Sequence, residues 1–294
     1  MTRMPTAMLE KKKISRVIFS VLPSSHDLQI ILSLMKKGYG AEEWCFDLPS
    51  AKHLDSFREL RDLTDDEALT GFCHLEAEQG IAFSGKPLHL FESRVVATIE
   101  KNLGLPDGVR NFLPRTSSWE VFTQKEIYRI TFDPSRFENA LSAFKPEESP
   151  FLLLGERYGD WILALGRIDL LKEMVKRVRE RGFIPIYSGR WATFALPNAK
   201  SLDVAAYAIP INKKWSLFDL PHACDLIKKF GKPIISLNPL ADGKLLIKAE
   251  EAFQFLFKEL KICASIVTIG SENESEMILG ALERVPSLIS YRKT

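Results

Sequence analysis

The sequence predicts a closed (β/α)8 barrel of the TIM-barrel type, and three observations support this prediction. About the last sixty residues read as strand, loop, helix, strand, loop, helix, which is the pattern of a parallel sheet covered on both faces. Six further apolar segments of strand length precede them, most with a helix pattern behind them. A chain of 294 residues, 46% of them hydrophobic, is long enough to bury such a core. An open doubly wound sheet is the alternative architecture.

The predicted strands are short runs rich in β-branched and aromatic residues. In order they are 16–22, 43–48, 69–75, 151–155, 183–187, 204–209, 233–237 and 264–269. Helices are predicted from apolar residues at helical spacing, as in the stripe of Leu54, Phe57 and Leu60. The predicted helices follow Ser24-Ser25 and Ser271 and cover 51–63, 161–181, 220–230 and 250–260.

Residues 77 to 149, between the third and fourth strands, interrupt this alternation. They contain a hairpin signal around Ser84-Gly85, a helix pattern over 91–103, a capping box at Thr123 and a helix start at Asp133-Pro134. A segment this long inside a compact domain usually covers a site or forms a subunit contact. A lid over the barrel mouth and a homodimer contact are therefore the two expectations for this insertion.

The predicted strands and helices also define the expected domain boundaries. Residues 1–13, which include Lys11-Lys12-Lys13, are expected to be a flexible N-terminus. Residues 14–294 are expected to form a single barrel domain that carries the insertion.

Composition narrows the classes of partner. The 40 basic and 38 acidic residues nearly cancel, so electrostatics give no case for nucleic acid as a ligand. Four widely spaced cysteines form no disulfide or zinc pattern, which suits a reducing cytoplasm. The first ten residues lack the apolar core of a signal peptide, and no apolar run has the length of a membrane span. A cytoplasmic protein with a small-molecule ligand is expected.

Candidate catalytic residues follow the predicted strands, because barrel sites lie at the carboxyl ends of the strands. Asp47 ends the second strand and either faces the barrel mouth or caps the next helix, a role that Ser50 can also fill. His74 and Glu76 are two residues apart on the third strand and so share a face, which is either the inward or the outward one. Glu156 follows the fourth strand, where Asp160 can cap the next helix and leaves Glu156 free to act.

These side chains allow two readings. Together with Asp47, Glu156 and a histidine from the first loop, His74 and Glu76 would offer nitrogen and oxygen ligands to a divalent metal. Otherwise they are satisfied polar groups of the interior. No spacing such as HExxH identifies a metal signature.

A second group of candidates would hold an anionic ligand. Gly270-Ser271 lies between the eighth strand and a helix N-terminus, where barrels commonly hold phosphate. Asn273 follows in the first helical turn, whose glutamates also satisfy the free amides. Asn212 stands at the sixth loop beside two lysines, and Asn238 and Lys244 stand at the seventh.

Three segments of the second half resemble the aldo/keto reductases. The stretch 233–245, which contains Asn-Pro-Leu-Ala-Asp-Gly, is similar to the family's seventh-strand segment. The stretch 269–277 is similar to the eighth-strand exit that helps hold the adenosine phosphate of a nicotinamide cofactor, and 207–212 resembles the sixth-strand segment. The resemblance implies a barrel that binds NADP or a related nucleotide, with Asn212, Asn238, Lys244, Gly270, Ser271 and Asn273 as candidate cofactor contacts.

The catalytic half departs from the family pattern. The family has an Asp at the end of strand two, a Tyr acid five residues later, a Lys on strand three and a His on strand four. Asp47 matches the first, but Lys52 stands at the Tyr position, His74 and Glu76 stand where the Lys is expected, and Glu156 stands at the His position. Because the Tyr donor is missing, generic aldehydes should be reduced with NADPH only at the background rate.

Three functional hypotheses therefore remain. The first is a divergent reductase-like barrel that binds a nucleotide or a small phosphorylated metabolite, as an oxidoreductase with an altered catalytic set. The second is a metal-dependent lyase, isomerase or hydrolase that uses Asp47, His74, Glu76 and Glu156. The third is a non-catalytic interaction protein whose partner surface is the insertion.

Overall fold

The computed structural model describes residues 5–21, 29–33, 44–64, 69–103, 113–114, 120–214 and 219–285. The strands in chain order are β1 (Thr6–Leu9), β2 (Lys12–Ser15), β3 (Val17–Val21), β4 (Cys45–Leu48), β5 (Thr70–Glu76), β6 (Ile81–Phe83), β7 (Lys86–Pro87), β8 (Ile130–Phe132), β9 (Phe151–Gly155), β10 (Ile184–Ser188), β11 (Ala206–Pro210), β12 (Ile234–Leu237) and β13 (Ala264–Ile269).

The helices surround these strands. In chain order they are α1 (Ala51–Thr64), α2 (Glu92–Leu103), α3 (Gln124–Ile127), α4 (Pro134–Leu141), α5 (Glu156–Ala164), α6 (Ile168–Glu180), α7 (Ala192–Ala199), α8 (Leu220–Phe230), α9 (Ala249–Gln254) and α10 (Glu272–Glu283). A π-helical turn over Phe255–Glu259 extends α9. Residues 29 to 33 are helical, and the rest of the helix predicted after the first strand lies outside the described residues.

Eight parallel strands close into a barrel, as predicted. Their order is β3, β4, β5, β9, β10, β11, β12 and β13, and β13 pairs with β3 to complete the ring. Each corresponds to one of the eight predicted strands. Apolar residues continue on both faces because the outer helices cover one face and the barrel interior buries the other. The alternative of an open sheet is excluded by this closure.

Alternate residues of the strands fill the barrel interior. Cys45, Phe72, Phe151 and Ile186 belong to this inner cluster, and the rings of Phe72 and Phe151 stack with centroids 4.4 Å apart. The intervening residues pack outward against the helices in a second, larger cluster. This alternation determines which side chains reach the barrel mouth.

Residues 6–15 form a hairpin at one end of the barrel. β1 and β2 form an antiparallel hairpin, and its Leu9 and Ile14 are fully buried in the inner cluster of the barrel. The flexible segment was expected over 1–13, and residues 6–13 of it form the first strand, the turn and the start of the second strand of this hairpin. Lys11 and Lys12 are exposed in the hairpin while Leu9 and Ile14 point inward.

We expect Ile14→Ala to lower the free energy of unfolding by about 2–5 kcal/mol, because it leaves a cavity in the barrel interior. Met8→Ala is the matched control, since Met8 lies on the same hairpin with 58% of its surface exposed, and it should change stability by less than about 0.5 kcal/mol. Urea unfolding measures both. Equal, small effects would show that the hairpin does not seal the barrel in solution.

The described residues of the insertion form a small three-stranded sheet, three α-helices and two short 3-10 helices. β6 pairs with β7 and β8, and Thr123 and Glu126 form the predicted capping box, while Asp133 caps α4 with Pro134 in the first turn.

One long helix was predicted over 161–181, but α5 and α6 are separate. Gly166 interrupts them with φ of 72°.

Candidate functional site

Strand alternation carries three ionisable side chains into the barrel mouth. Cys45 and Phe72 belong to the inner cluster, so Asp47, His74 and Glu76 continue the same inward face towards the carboxyl ends of β4 and β5. The inward face of β5, which the sequence left open, is therefore the one that carries His74 and Glu76.

A left-handed turn brings Glu156 to the same place. Gly155 ends β9 with φ of 128°, and a Cβ there would lie 2.6 Å from the carbonyl oxygen of Ser188, so only glycine fits. Glu156 follows with φ of 49°, a conformation that non-glycine residues rarely adopt. The turn directs the Glu156 carboxylate towards His74 on the neighbouring strand.

His74 lies between two carboxylates. Its Nε2 is 2.5 Å from Oδ1 of Asp47, and its Nδ1 is 2.9 Å from Oε1 of Glu156. Carboxylate oxygens accept hydrogen bonds, so the ring donates from both nitrogens when it is protonated. Burial alone would lower its pKa, but the two carboxylates outweigh burial and raise the pKa to about 10. His74 is therefore an imidazolium at neutral pH.

The pKa of Glu76 is also raised, but for a carboxyl group this favours the neutral form. Burial and the nearby Glu156 carboxylate raise its pKa to about 7, although the backbone N–H of Tyr158 donates to its Oε1 at 3.0 Å and favours the charged form. The His74 hydrogen bond lowers the pKa of Glu156. Of the two neighbouring carboxyl groups, Glu76 therefore holds a proton near neutral pH and Glu156 stays ionised.

A pocket of about 410 Å³ opens above these groups. His74, Glu76 and Glu156 line it, and the insertion contributes Gln79, Ala140 and Phe144 to its wall. The insertion therefore borders the barrel mouth, and its expected role as a lid stays a prediction. Its role as a dimer contact stays a prediction.

Lys52, which stands at the expected position of the proton donor, is exposed in the first turn of α1. The histidine beside it is a functional candidate that the sequence reasoning missed. The next residue, His53, is half-buried, and its Nδ1 lies 2.7 Å from Oγ of Ser50. Burial lowers its pKa, while the Asp47 charge raises it and the His74 charge lowers it. The signal that could have found it is a histidine one turn into the helix that follows Asp47.

Asp160 is a buried structural residue rather than a cap of its own helix. It lies inside α5 and accepts hydrogen bonds from the hydroxyl of Tyr187 and from the backbone N–H groups of Arg190 and Trp191, at 2.7, 2.7 and 2.9 Å. Burial raises its pKa to about 6. It thereby fixes the loop that carries Arg190, whose guanidinium is 3.7 Å from Glu156.

Several solved structures share this architecture over nearly the whole chain. The holo form of an aldo-keto reductase from Bacillus halodurans is 12% identical, with a TM-score of 0.55 and coverage of 99% of this chain and 97% of that one. A thermostable aldo-keto reductase in complex with the inhibitor epalrestat is 10% identical, with a TM-score of 0.56 and coverage of 95% and 94%. This chain has the aldo-keto reductase fold.

A third structure supports the same fold. An aldo-keto reductase from a Medee basin deep-sea metagenome library is 10% identical, with a TM-score of 0.51 and coverage of 98% of this chain and 90% of that one. The sequence itself matches no protein-family model and no curated protein sequence. Identities this low show the fold and leave the activity to the site.

The eighth-strand loop of this aldo-keto reductase fold is occupied by the chain's own carboxylate. The backbone N–H of Gly270 donates to Oε2 of Glu274 at 2.9 Å, and Oγ of Ser271 accepts from the N–H of Glu274 at 3.2 Å. Glu272 adds a second carboxylate to the same turn, and Asn273 beside it is exposed. As it stands, this loop does not fit a cofactor phosphate, because a phosphate would have to displace Glu274 against two negative charges.

The other predicted cofactor contacts also have intramolecular partners. The side-chain amide of Asn212, which is fully buried, donates to the carbonyl of Asn238 at 3.1 Å. The Asn238 side chain binds Asp242 through both the carboxylate and the backbone N–H of that residue, each at 2.8 Å. Lys244 is exposed at this loop. Asn212 and Asn238 therefore hold the sixth and seventh loops together, and their cofactor role stays a prediction.

The metal alternative would draw on His74 as its imidazole ligand. Both nitrogens of His74 face carboxylates, so a metal would have to replace one of these hydrogen bonds, and the metal alternative stays a prediction. Across the residues that the structure describes, no group of three or more His, Cys, Asp or Glu side chains is arranged to hold a metal ion. Among the same residues, no helix is long and apolar enough to cross a membrane.

Proposed function

We propose that this protein is an enzyme that transfers a proton to and from a small carbonyl compound bound at the barrel mouth, with Glu76 as the general acid–base. The observation that supports this proposal is the setting of Glu76: it lines the pocket, and its pKa is about 7. A group that must both take up and return a proton works best when its pKa lies near the working pH. Carbonyl compounds are proposed as substrates because the chain shares the fold of aldo-keto reductases.

The neighbouring residues maintain this state of Glu76. Asp47 and Glu156 keep His74 protonated, and His74 in turn keeps Glu156 ionised. The charge of Glu156 then holds a proton on Glu76 up to neutral pH. The array sets the proton affinity of the group that reacts, which is how two adjacent carboxyls acquire different roles.

The proposed reaction proceeds in two steps. The ionised Glu76 takes a proton from the carbon next to the carbonyl, and the electron pair of that C–H bond moves to the carbonyl oxygen to give an enolate. Arg190, beside Glu156 and 57% exposed, is the cation we assign to the enolate oxygen. Glu76 then returns a proton to the same carbon while the electron pair returns from the oxygen, or, where that carbon carries a hydroxyl group, to the former carbonyl carbon while the hydroxyl proton moves to the enolate oxygen. The net result is hydrogen exchange with solvent or, for hydroxy-carbonyl compounds, isomerisation, and neither needs an oxidant or a reductant.

Hydrogen exchange with solvent tests this proposal on a range of compounds, so the substrate need not be identified first. A panel of small aldehydes, ketones and hydroxy-ketones is incubated with the protein in D2O, and proton NMR follows the loss of the C–H signals beside the carbonyl. At least one compound should exchange faster than in buffer alone, with a rate that depends on one ionisation near pH 7. A panel that is inert with the protein but reduced in the presence of NADPH would favour hydride transfer instead.

Nicotinamide cofactors should bind weakly or not at all, because Glu274 occupies the Gly270 amide. Calorimetric titration with NADP, NAD and simple sugar phosphates measures this, and Ser271→Glu should weaken any binding further. Glu274→Ala should strengthen phosphate binding, since it frees the amide and removes a charge. Glu283→Ala makes the same change at the far end of α10 and should have no effect. Tight NADP binding by the wild type would restore the oxidoreductase hypothesis.

A further inference from the structure

Tyr158 connects helix α2 of the insertion to the proposed acid–base group. The hydroxyl of Tyr158 donates to Oε2 of Glu92 at 2.8 Å, and Glu92 begins helix α2 of the insertion. The backbone N–H of the same tyrosine donates to Oε1 of Glu76 at 3.0 Å. Two hydrogen bonds therefore connect the insertion to the mouth of the barrel.

The backbone that leads to Tyr158 turns sharply at Gly155 and Glu156. Gly155 and Glu156 both have positive φ, of 128° and 49°. A non-glycine residue in this region persists only where its surroundings determine it. The turn is anchored at its start by β9, which pairs with β5 and β10. On its other side Glu156 begins α5, and in the first turn of that helix the Tyr158 hydroxyl donates to Glu92, so this bond connects the start of α5 to the insertion.

Arg157 strengthens the same attachment. Its guanidinium lies over the rings of Tyr158 and Trp161, 5.1 and 4.9 Å from their centroids, and 3.5 Å from Oε1 of Glu92. Glu92 therefore accepts a hydrogen bond from Tyr158 and forms an ion pair with Arg157, the residue before it. A pair of contacts fixes the direction of the turn better than either contact alone, since each restricts a different side chain.

We propose that Glu92 is a positioning residue of the barrel mouth: through Tyr158 it holds the turn 155–158 so that the Tyr158 N–H meets Glu76 and the Glu156 carboxylate meets His74. This inference deepens the proposed function, since it explains how the insertion sets the state of the acid–base group. Its geometry does not depend on the reaction.

The consequences of release have defined signs. His74 is surrounded by Asp47 and Glu156, with the His53 ring acting on the same group of charges, and Glu76 is surrounded by Glu156, the Tyr158 N–H and Arg190. If the turn loosens, His74 loses the Glu156 hydrogen bond that favours its charged form, so the pKa of His74 falls. Glu76 loses the N–H that favours its carboxylate, so loss of that bond acts to raise its pKa.

NMR titration of the His74 ring in Tyr158→Phe tests the inference directly, because phenylalanine removes the donor to Glu92 and little else. The titration midpoint of His74 should fall by about one pKa unit or more, which corresponds to the loss of one of two charged hydrogen-bond partners. Glu92→Gln, at the start of α2, should shift it in the same direction by a smaller amount. Tyr128→Phe is the matched control, since Tyr128 lies in the insertion with 68% of its surface exposed.

An unchanged His74 midpoint in Tyr158→Phe, with the fold retained by circular dichroism, would overturn the inference. Should Tyr158→Phe fail to fold, Glu92→Gln decides in the same way. The titration needs no substrate, so its result stands apart from the exchange assay. A panel inert towards the wild type would end the proposed function alone, and an unmoved midpoint would end the positioning role alone.

Discussion

Replacing His74 with leucine is expected to lower the free energy of unfolding by about 3–5 kcal/mol at pH 7, because it leaves two carboxylates without their shared cation in a largely buried site. The Asp47 side chain is only 7% exposed, so water cannot replace the lost partner. Urea unfolding followed by circular dichroism measures the change. A loss below about 1 kcal/mol would show that the ring is not a charged bridge.

His74→Lys is the matched control for this prediction, because it keeps a cation at the same place on β5. It should retain more stability than His74→Leu. The pH dependence adds a second check. Because the folded-state pKa of about 10 lies above the ordinary value of 6.5, the stabilisation is fully present below pH 6.5 and is lost as the pH rises through about 10. The difference between wild type and His74→Leu should shrink over that window.

Glu76→Gln should reduce proton exchange by about 10²- to 10⁴-fold, which is the usual contribution of a general acid–base group. Glutamine keeps the shape of the side chain and can still accept the Tyr158 N–H, but it cannot take up a proton. The exchange assay in D2O measures the rate on whichever compound the wild type turns over. The ionisation near pH 7 should disappear from the residual rate.

Glu147→Gln, an exposed change in the insertion with the same loss of charge, controls for electrostatics and should leave the exchange rate as it is. A Glu76→Gln protein that exchanges at the wild-type rate would move the reacting group elsewhere. His53 would then be the next candidate, because the charges of Asp47 and His74 already act on it.

The barrel could be predicted because each of its strands is buried on both faces. Segments such as Phe151–Gly155 and Ala264–Ile269 are apolar over most of their length, and no other regular structure fits runs so short. Local signals also predicted the caps at Thr123 and Asp133, since these depend on side chains and backbone groups three residues away. The fold was therefore accessible from local pattern.

Elements that depend on contacts between distant parts of the chain could not be predicted from the sequence. The hairpin of β1 and β2 has four residues in each strand, and Leu9 and Ile14 are buried only because the barrel end receives them. The break between α5 and α6 depends on Gly166, while the guanidinium of Arg167 binds the carbonyls of Ile127 and Ile130 in the insertion. The spacing of apolar residues alone does not predict such a break, because it continues with helical periodicity across it.

The sequence indicated which side chains follow the strands but not how they pair, and their catalytic role stays a prediction. Asp47, His74, Glu76 and Glu156 were selected because they end strands, and the structure brings them together. Their pairing depends on the left-handed turn at Gly155 and Glu156, which has no signature in composition or spacing. The Gly270-Ser271 loop illustrates the reverse case: its residues suit a phosphate, yet the carboxylate of Glu274 folds back onto the amide.

The proposed chemistry depends on a raised pKa at His74, which lies between two carboxylates, and on a raised pKa at the buried Glu76 carboxyl group. NMR titration of the wild-type protein, with the His74 ring and the Glu76 carboxyl carbon observed separately, tests this arrangement most directly. We expect His74 to stay protonated until about pH 10 and Glu76 to titrate at about pH 7. Midpoints near the ordinary values, 6.5 for the histidine and 4.5 for the glutamate, would contradict it.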